Sequence, residues 1–313
     1  MSKFASTPLD APAITPATLT DQQPTAVHWL LILLLSMLWG SSFILMKLGL
    51  EAFTFTQVAS WRLFLAFLVL SLFWLRISFK AITLTDWKYI LVVALFGSGI
   101  PPFLFTLAQT HIPSAIAGVL NALTPLGTIF IGALLFSNRF NNNQLAGVVV
   151  GLLGAVLIMF LRADGNFEGN YLYSLPIVFA CLCYGIGANT IKNKLQHLSP
   201  ITITTAAFTL IGPPAGIYLW YSGAFAQVAT DTASQQALGY LTILGVLGTA
   251  FALLMFNYLI KSVSALFAST VTYLMPIVSI AWGYYFGEEL NWVHGIGMAL
   301  ILAGVWLTGR KKA

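Results

Sequence analysis

After residue 26 the chain becomes a succession of long apolar runs separated by short polar breaks. Ten such runs are read, at 29–46, 55–75, 89–108, 115–136, 145–161, 172–191, 203–221, 238–260, 266–286 and 292–308. Each approaches the roughly 20 apolar residues that a helix needs to cross the hydrocarbon of a bilayer. The runs are unbroken and do not alternate with period two, which predicts helices rather than barrel strands. The predicted fold class is therefore an all-α polytopic membrane protein with ten transmembrane helices, short loops and no room for a second soluble domain. Residues 1–26 differ. Pro8, Pro12, Pro16 and Pro24 stand among Thr, Ala and Gln, which predicts a disordered cytoplasmic tail. The run that follows has full spanning length and no small-residue cleavage site behind it, so it reads as a span rather than a signal peptide.

Composition narrows the class. Of 313 residues, 58% are hydrophobic and 7% charged, against about 25% charged in soluble domains. Fourteen Lys/Arg and nine Asp/Glu cannot coat a water-facing globule of this size. A soluble enzyme, a disordered chain and a coiled coil are all excluded. The net charge of +5 would suit nucleic acid, but its distribution reads as topology. Lys3, Arg76, Lys80, Lys88, Arg139, Lys192, Lys194, Lys261, Arg310, Lys311 and Lys312 fall on the side of the N-terminus. Lys47 and Arg162 fall on the other side, and Arg62 lies inside a span. The positive-inside rule then puts both termini in the cytoplasm of a cell that carries the protein in its inner or plasma membrane. Glu51, Asp164, Glu168, Asp231, Glu288 and Glu289 fall outside, in agreement, although acids weigh little in this rule.

The chain also repeats itself. Trp39-Gly40 precedes Lys47 as Tyr184-Gly185 precedes Lys192. Ala117 stands to Pro125 as Ala268 stands to Pro276, and Gly147 to Gly154 as Gly297 to Gly304. These spacings recur in the same order, which suggests a duplicated five-helix unit. Five is odd, so the second copy enters the membrane upside down. The predicted division is a tail at 1–26, a first repeat at 27–162, a second at 171–309 and a basic cytoplasmic tail at 310–313. Inverted repeats of this kind place a binding site near mid-membrane between the two copies.

The sequence resembles the drug/metabolite transporter superfamily, in its EamA branch of ten-span bacterial transporters. The residues that carry the resemblance are Trp39-Gly40-Ser41-Ser42-Phe43, Arg62, Ala117 through Pro125, Ala268 through Pro276, Gly287-Glu288-Glu289-Leu290, and Gly297 through Gly304. It extends from Trp29 to Thr308. One departure is Ser137-Asn138-Arg139-Phe140, where the family tends to show a Gly-Glu motif like that of the second half. The resemblance implies export of amino acids or related small metabolites. It also implies a cavity built from the first, third, fourth, sixth, eighth and ninth helices.

Candidate site residues come from polar or aromatic groups at membrane depth. Arg62 is the one formally charged residue inside a span, where a charge costs ~3 kcal/mol or more unless satisfied. Two roles fit it: partner to a substrate carboxylate, or an internal pairing with helix-end carbonyls or Glu51 that holds the second helix. Trp39, Ser42 and Phe43 fit a cavity wall or helix packing beside Gly40. Asn121 and Thr124 next to Pro125, and Thr272 and Tyr273 near Pro276, sit where proline frees a carbonyl. That carbonyl either meets a polar ligand or is satisfied by a neighbouring Thr. Tyr184 and Asn257 complete the substrate-binding candidates, while Arg62, Pro125 and Pro276 are assigned structural or electrostatic roles. Pro101-Pro102 and Pro213-Pro214 read as local breaks. Glu288 and Glu289 read as caps on the start of the tenth helix, in preference to a gating role, with Gly287 ending the ninth.

Cys181 and Cys183 lie two apart on different faces of a helix and read as buried small hydrophobes. The histidines His28, His111, His197 and His294 lack ligand spacing, so no metal and no cofactor is expected. Gly147-Val148-Val149-Val150-Gly151 reads as packing within one chain, and a monomer is expected rather than a dimer. The expected partners are the lipid bilayer and a small-molecule substrate, with no nucleic acid. No catalytic constellation appears, which argues against an enzyme. The leading expectation is alternating-access transport, and the spans contain no Asp or Glu to carry an obligatory proton. The alternative is an antiporter of nucleotide sugars or other anionic metabolites. Phosphate would require several basic residues facing the cavity, whereas Arg62 alone is available at depth.

Overall fold

Cap chemistry sets most of the helix starts. The computed structural model describes residues 24–77, 79, 82–137, 142–160, 171–263 and 271–309, and among these it contains helices and no strand. Helix α1 is Ala26–Gly49. Helix α2, Phe55–Ser71, opens on a capping box in which Thr54 accepts from the Gln57 N–H and the Gln57 side chain accepts from the Thr54 N–H. Helix α3, Leu84–Gln109, opens on the same device, with Thr83 and Asp86 in the two roles. Helices α4 (Ser114–Asn121) and α5 (Thr124–Phe136) follow, then α6 (Asn142–Phe160) and α7 (Leu175–Lys194). Helix α8, Pro200–Tyr221, has proline in its first turn, where no N–H partner is needed, and Ser199 as its cap. A short α9, Ala224–Thr230, leads to α10, which comprises Thr232–Thr242, a π-helical stretch Ile243–Phe251 and Ala252–Ser262. Helices α11 (Val271–Tyr285) and α12 (Trp292–Gly309) complete the chain.

Five helical stretches are long and apolar enough to cross a membrane: α1, α3, Leu172–Lys194, α8 and Thr232–Phe256 of α10. The bent pair α4 and α5 makes a sixth, while α2, α6 and α12 are shorter apolar helices. Lys3, Lys80, Arg139, Arg162, Asp164, Glu168, Ala268, Arg310, Lys311 and Lys312 lie outside the described residues. So do most of the predicted tail and the side chains of Asn257 and Lys261.

Two expectations about helix continuity are corrected, both at Pro-Pro pairs, whereas the fourth run bends beside its proline: α4 and α5 meet at 41°. Pro125 lacks the N–H that would bond Asn121 O, so the α-helical ladder cannot pass through. Pro213-Pro214 do not break their helix, because α8 runs through both. Pro101-Pro102 sit in α-helix, and the irregularity lies just before them, in a π-helical stretch Val93–Gly99.

The outer surface is as apolar as the interior. Leu30, Leu33, Leu34, Leu152, Leu153 and Trp306 are exposed, while Ser36, Gln57, Thr106, Gln109, Thr190 and Ser279 are buried. Lipid provides no hydrophobic drive between helices, so close packing rests on small residues. Helices α6 and α12 run antiparallel. A Cβ on Gly304 would lie 2.5 Å from Gly147 O, and one on Gly154 would lie 2.6 Å from Gly297 O. Helices α2 and α8 also run antiparallel, with Phe67 against Gly212, Phe64 against Gly216 and Thr56 bonded to Tyr218 at 2.6 Å. Helices α4 and α11 do the same through Gly118 with Ser279 and Ala115 with Gly283. Two further contacts involve residues at matching places. Gly40 of α1 lies against Met275 and Val278 of α11, and Gly185 of α7 lies against Gly127 and Thr128 of α5. Ser42 of α1 faces Gly248 in one π-helical stretch, and Gly187 of α7 faces Gly97 in the other.

Candidate functional site

Arg62 lies on the inner face of α2 and reaches across to α10. Its Nε donates to Thr249 Oγ1 at 3.0 Å, and Nη1 approaches the Met46 sulfur of α1 at 3.7 Å. Tyr184 of α7 is within electrostatic reach. Arg62 is paired internally, but not with the partners expected: Glu51 is exposed, and the arginine bonds a hydroxyl and a sulfur instead of helix-end carbonyls. Among the described residues no carboxylate stands within ion-pair distance of it. A guanidinium carries five N–H donors, so this one retains donor capacity.

Aromatic rings continue from this point. Tyr184 lies 6.3 Å from Phe105 of α3, and Phe105 lies 5.7 Å from Phe43 of α1, centroid to centroid. Phe43 and Phe105 are buried, and Tyr184 is half-buried. Trp39 donates from Nε1 to Gly248 O at 3.1 Å and leans on Phe256 at 5.1 Å. Residues from α1, α2 and α10 thus meet at one arginine, with Tyr184 of α7 near it and Phe105 of α3 next along the chain of rings.

The other candidates are placed as follows. Ser42 is buried, and its hydroxyl is spent on Leu38 O at 2.9 Å. Asn121 and Thr124 flank the α4/α5 bend, where Thr124 Oγ1 donates to Asn121 O at 2.8 Å. The carbonyl freed by Pro125 is therefore satisfied by a neighbouring threonine. Thr124 also contacts the Cys181 sulfur of α7 at 3.5 Å. Pro276 is buried within α11, which stays continuous, and its carbonyl accepts from Ser279. Thr272 and Tyr273 begin the same helix half-buried. Asn257 belongs to α10, but its side chain is outside the described residues.

Glu288 does not cap the tenth helix. Its carboxylate accepts from the backbone N–H of Ser114 at 2.6 Å and of Ala115 at 2.9 Å, so it caps α4 instead. An acid stabilises a helix N-terminus, and the helix that Glu288 serves is distant in sequence. The first turn of α12 is served by Asn291, whose Oδ1 accepts from Val293 and His294. Gly287 ends the turn after α11 at φ 72°.

Three contributors escaped sequence reasoning: Met46, Phe105 and Thr249. Thr249 had a signal, since Gly245-Val246-Leu247-Gly248-Thr249 places a hydroxyl beside glycines at membrane depth. A groove of about 350 Å³ lies beside this cluster, between α1, α10 and α11, lined by Met37, Ser41, Ile243, Gly248, Trp282 and Phe286. It opens on the apolar outer surface, so it is not the polar site. Trp282 Nε1 bridges its walls by donating to Ser41 at 2.7 Å. Among the described residues no group of three His, Cys, Asp or Glu could hold a metal.

The sequence model of the EamA-like transporter family matches residues 28–160 and again 172–310. The chain belongs to the EamA-like transporter family. It is 25% identical over 282 residues to the "Uncharacterized inner membrane transporter YedA" of Escherichia coli K12, covering 89% of each chain. It is 27% identical over 290 residues to an "Uncharacterized transporter" of Archaeoglobus fulgidus, covering 90% of this chain and 97% of that one. A Salmonella typhimurium relative named "Probable amino-acid metabolite efflux pump" is 24% identical over 295 residues, covering 88% and 93%. A solved crystal structure shares the fold with a TM-score of 0.56 at 18% identity, covering 91% of this chain and 97% of the other. This EamA-like protein is thus a membrane transporter, not an enzyme.

Proposed function

We propose that this EamA-like transporter exports amino acids or related small polar metabolites by alternating access between two inverted five-helix halves, with Arg62 as the partner of the substrate carboxylate. The observation that carries the reading is Arg62 itself. It is a guanidinium at the junction of α1, α2, α7 and α10, held by a hydroxyl and a thioether rather than by a carboxylate. Charge-assisted bonds to a carboxylate are stronger than either of these contacts. One cation beside hydroxyls and aromatic rings suits a zwitterion better than a phosphorylated anion.

The inverted architecture draws support from the antiparallel pairing of α6 with α12, α2 with α8 and α4 with α11. Each pair joins the same-numbered helices of the two halves. It also draws support from the two separate stretches that match one family. Ten spans with both termini cytoplasmic follow from the positive-inside rule and the alternating helix directions. Transport runs without an obligatory proton, because the predicted spans contain no acid to carry one.

Purified protein in liposomes preloaded with mixed amino acids and metabolites, with mass spectrometry of the efflux, tests the reading. Amino acids are expected to leave with or without a pH gradient, and Arg62→Met is expected to reduce that flux roughly tenfold or more. Release of nucleotide sugars in place of amino acids, or flux only under a pH gradient, would overturn it. Trp39→Ala and Asn121→Ala are expected to lower flux while the protein still inserts.

A further inference from the structure

We infer that Thr249 is a positioning residue: it ties Arg62 to the π-helical stretch of α10, so that a carboxylate arriving at Arg62 releases that stretch. The inference rests on the reading of Arg62 as the substrate's partner. Three hydrogen bonds converge on two consecutive residues. Trp39 Nε1 donates to Gly248 O at 3.1 Å, and Arg62 Nε donates to Thr249 Oγ1 at 3.0 Å. Thr249 Oγ1 in turn donates to Leu244 O at 3.0 Å, five residues back. Five is the hydrogen-bond spacing of the π-helix itself, so the side chain staples the widened turn. A hydroxyl has a single proton. With that proton on Leu244 O, the oxygen is left to accept from Arg62. The cation polarises the hydroxyl and strengthens its bond to Leu244.

The staple joins the two halves. Trp39 and Arg62 belong to α1 and α2, and the π-helical stretch belongs to α10. Glycines bring the backbones close enough for this. A Cβ on Gly245 would lie 2.8 Å from Leu65 Cβ, and one on Gly248 would lie 3.0 Å from Ser42 Oγ. Helix α10 is pinned there by directional bonds, and it can move against α1 and α2 only when they are exchanged. Helix α3 carries the matching π-helical stretch, Val93–Gly99, which meets α7 backbone to backbone through Gly97 and Gly187. π-helical geometry inside an α-helix is rare, and here it occurs at matching places in both halves. Thr249 is 6% exposed, so it acts through Arg62 rather than on the solute. A carboxylate is a stronger acceptor than a hydroxyl or a thioether, and one that binds side-on through Nε and an Nη takes the Nε–H from Thr249. Thr249 then loses its donor, and the substrate shifts the equilibrium of the turn by its differential affinity for the released state.

Amide hydrogen exchange of residues 243–251, followed by mass spectrometry on the full chain in nanodiscs, separates the links. Without solute, Thr249→Val and Arg62→Met are each expected to speed exchange there several-fold, while Thr249→Ser, which keeps the hydroxyl, stays near the parent. Unchanged exchange in both Thr249→Val and Arg62→Met would overturn the staple. A mixture of the twenty common L-amino acids is then added. The parent is expected to speed up at 243–251, Thr249→Val to show no further change, and Thr249→Val to bind the mixture several-fold more tightly by calorimetry. Binding to the parent without any change in exchange would overturn the coupling while leaving the Arg62 reading intact. No binding at all would sink the Arg62 reading and leave the staple standing on the first comparison. Thr249→Ser that exchanges like Thr249→Val would mean packing, not the hydroxyl, holds the turn, and would overturn the inference.

Discussion

Glu288 joins two parts of the chain that lie 174 residues apart. Its two carboxylate oxygens take the first two N–H groups of α4, which would otherwise lack partners. Glu288→Gln keeps the shape, removes the charge and leaves one donor-bearing atom facing an N–H. A loss of about 1–2 kcal/mol follows from cap and dipole magnitudes, to be read as a lower Tm in detergent. Asp231 plays a local version of this role at the start of α10. The Ser234 hydroxyl, then the Ser234 and Ala233 N–H groups, hold its carboxyl below the usual carboxylate range. A folded-state pKa below the unfolded one stabilises the fold above the unfolded value, about 3.9. That contribution is lost as pH falls through the folded value. Thermal unfolding of Asp231→Asn is expected to fall less steeply below pH 4 than that of the parent; an identical slope would refute the assignment. Asp231 caps residues two and three places along the chain, a local pairing that a sequence can carry. The partner of Glu288 was not, because no local spacing points from residue 288 to residue 114.

At the scale of elements, glycine decides where helices touch. The Gly147/Gly154 and Gly297/Gly304 spacings are visible in the sequence, yet they say only that two helices each carry small residues. That Gly147 meets Gly304 and Gly154 meets Gly297 fixes the direction of one helix against the other. Gly304→Leu would drive a side chain into the Gly147 carbonyl and the Gly151 backbone, where a Cβ would already sit 2.5 and 2.7 Å away. Backbone cannot give way as a side chain tip does, so at least the 1–3 kcal/mol of ordinary overpacking is expected. Reduced yield of folded protein on size exclusion is the readout, and Gly295→Leu, which meets open space, is expected to behave like the parent. The π-helical stretches of α3 and α10 were not legible. Their residues are as apolar as any span, and the shift from four- to five-residue bonding follows from contacts with other helices.

For the whole molecule, orientation is the remaining test. Cys181 and Cys183 are free and buried, so they contribute little background to thiol labelling. A cysteine placed at exposed Glu51 is expected to react with an impermeant reagent in intact cells, and one at exposed Gln196 only after permeabilisation. The reverse pattern, or equal labelling, would contradict cytoplasmic termini. Sequence alone determined that the chain is helical and membrane-bound, because apolar run length and scarcity of charge are set by the lipid solvent and not by any partner helix. It also determined the family. What lies beside Arg62, which helix Glu288 caps, where the fourth run bends and which glycines meet were decided by the tertiary structure. Each depends on groups far apart in the chain, and a uniformly apolar code does not distinguish a lipid-facing position from a helix-facing one. In water the polar face of a helix marks its outside. Here lipid takes that place, and only the packed assembly tells the two sides apart.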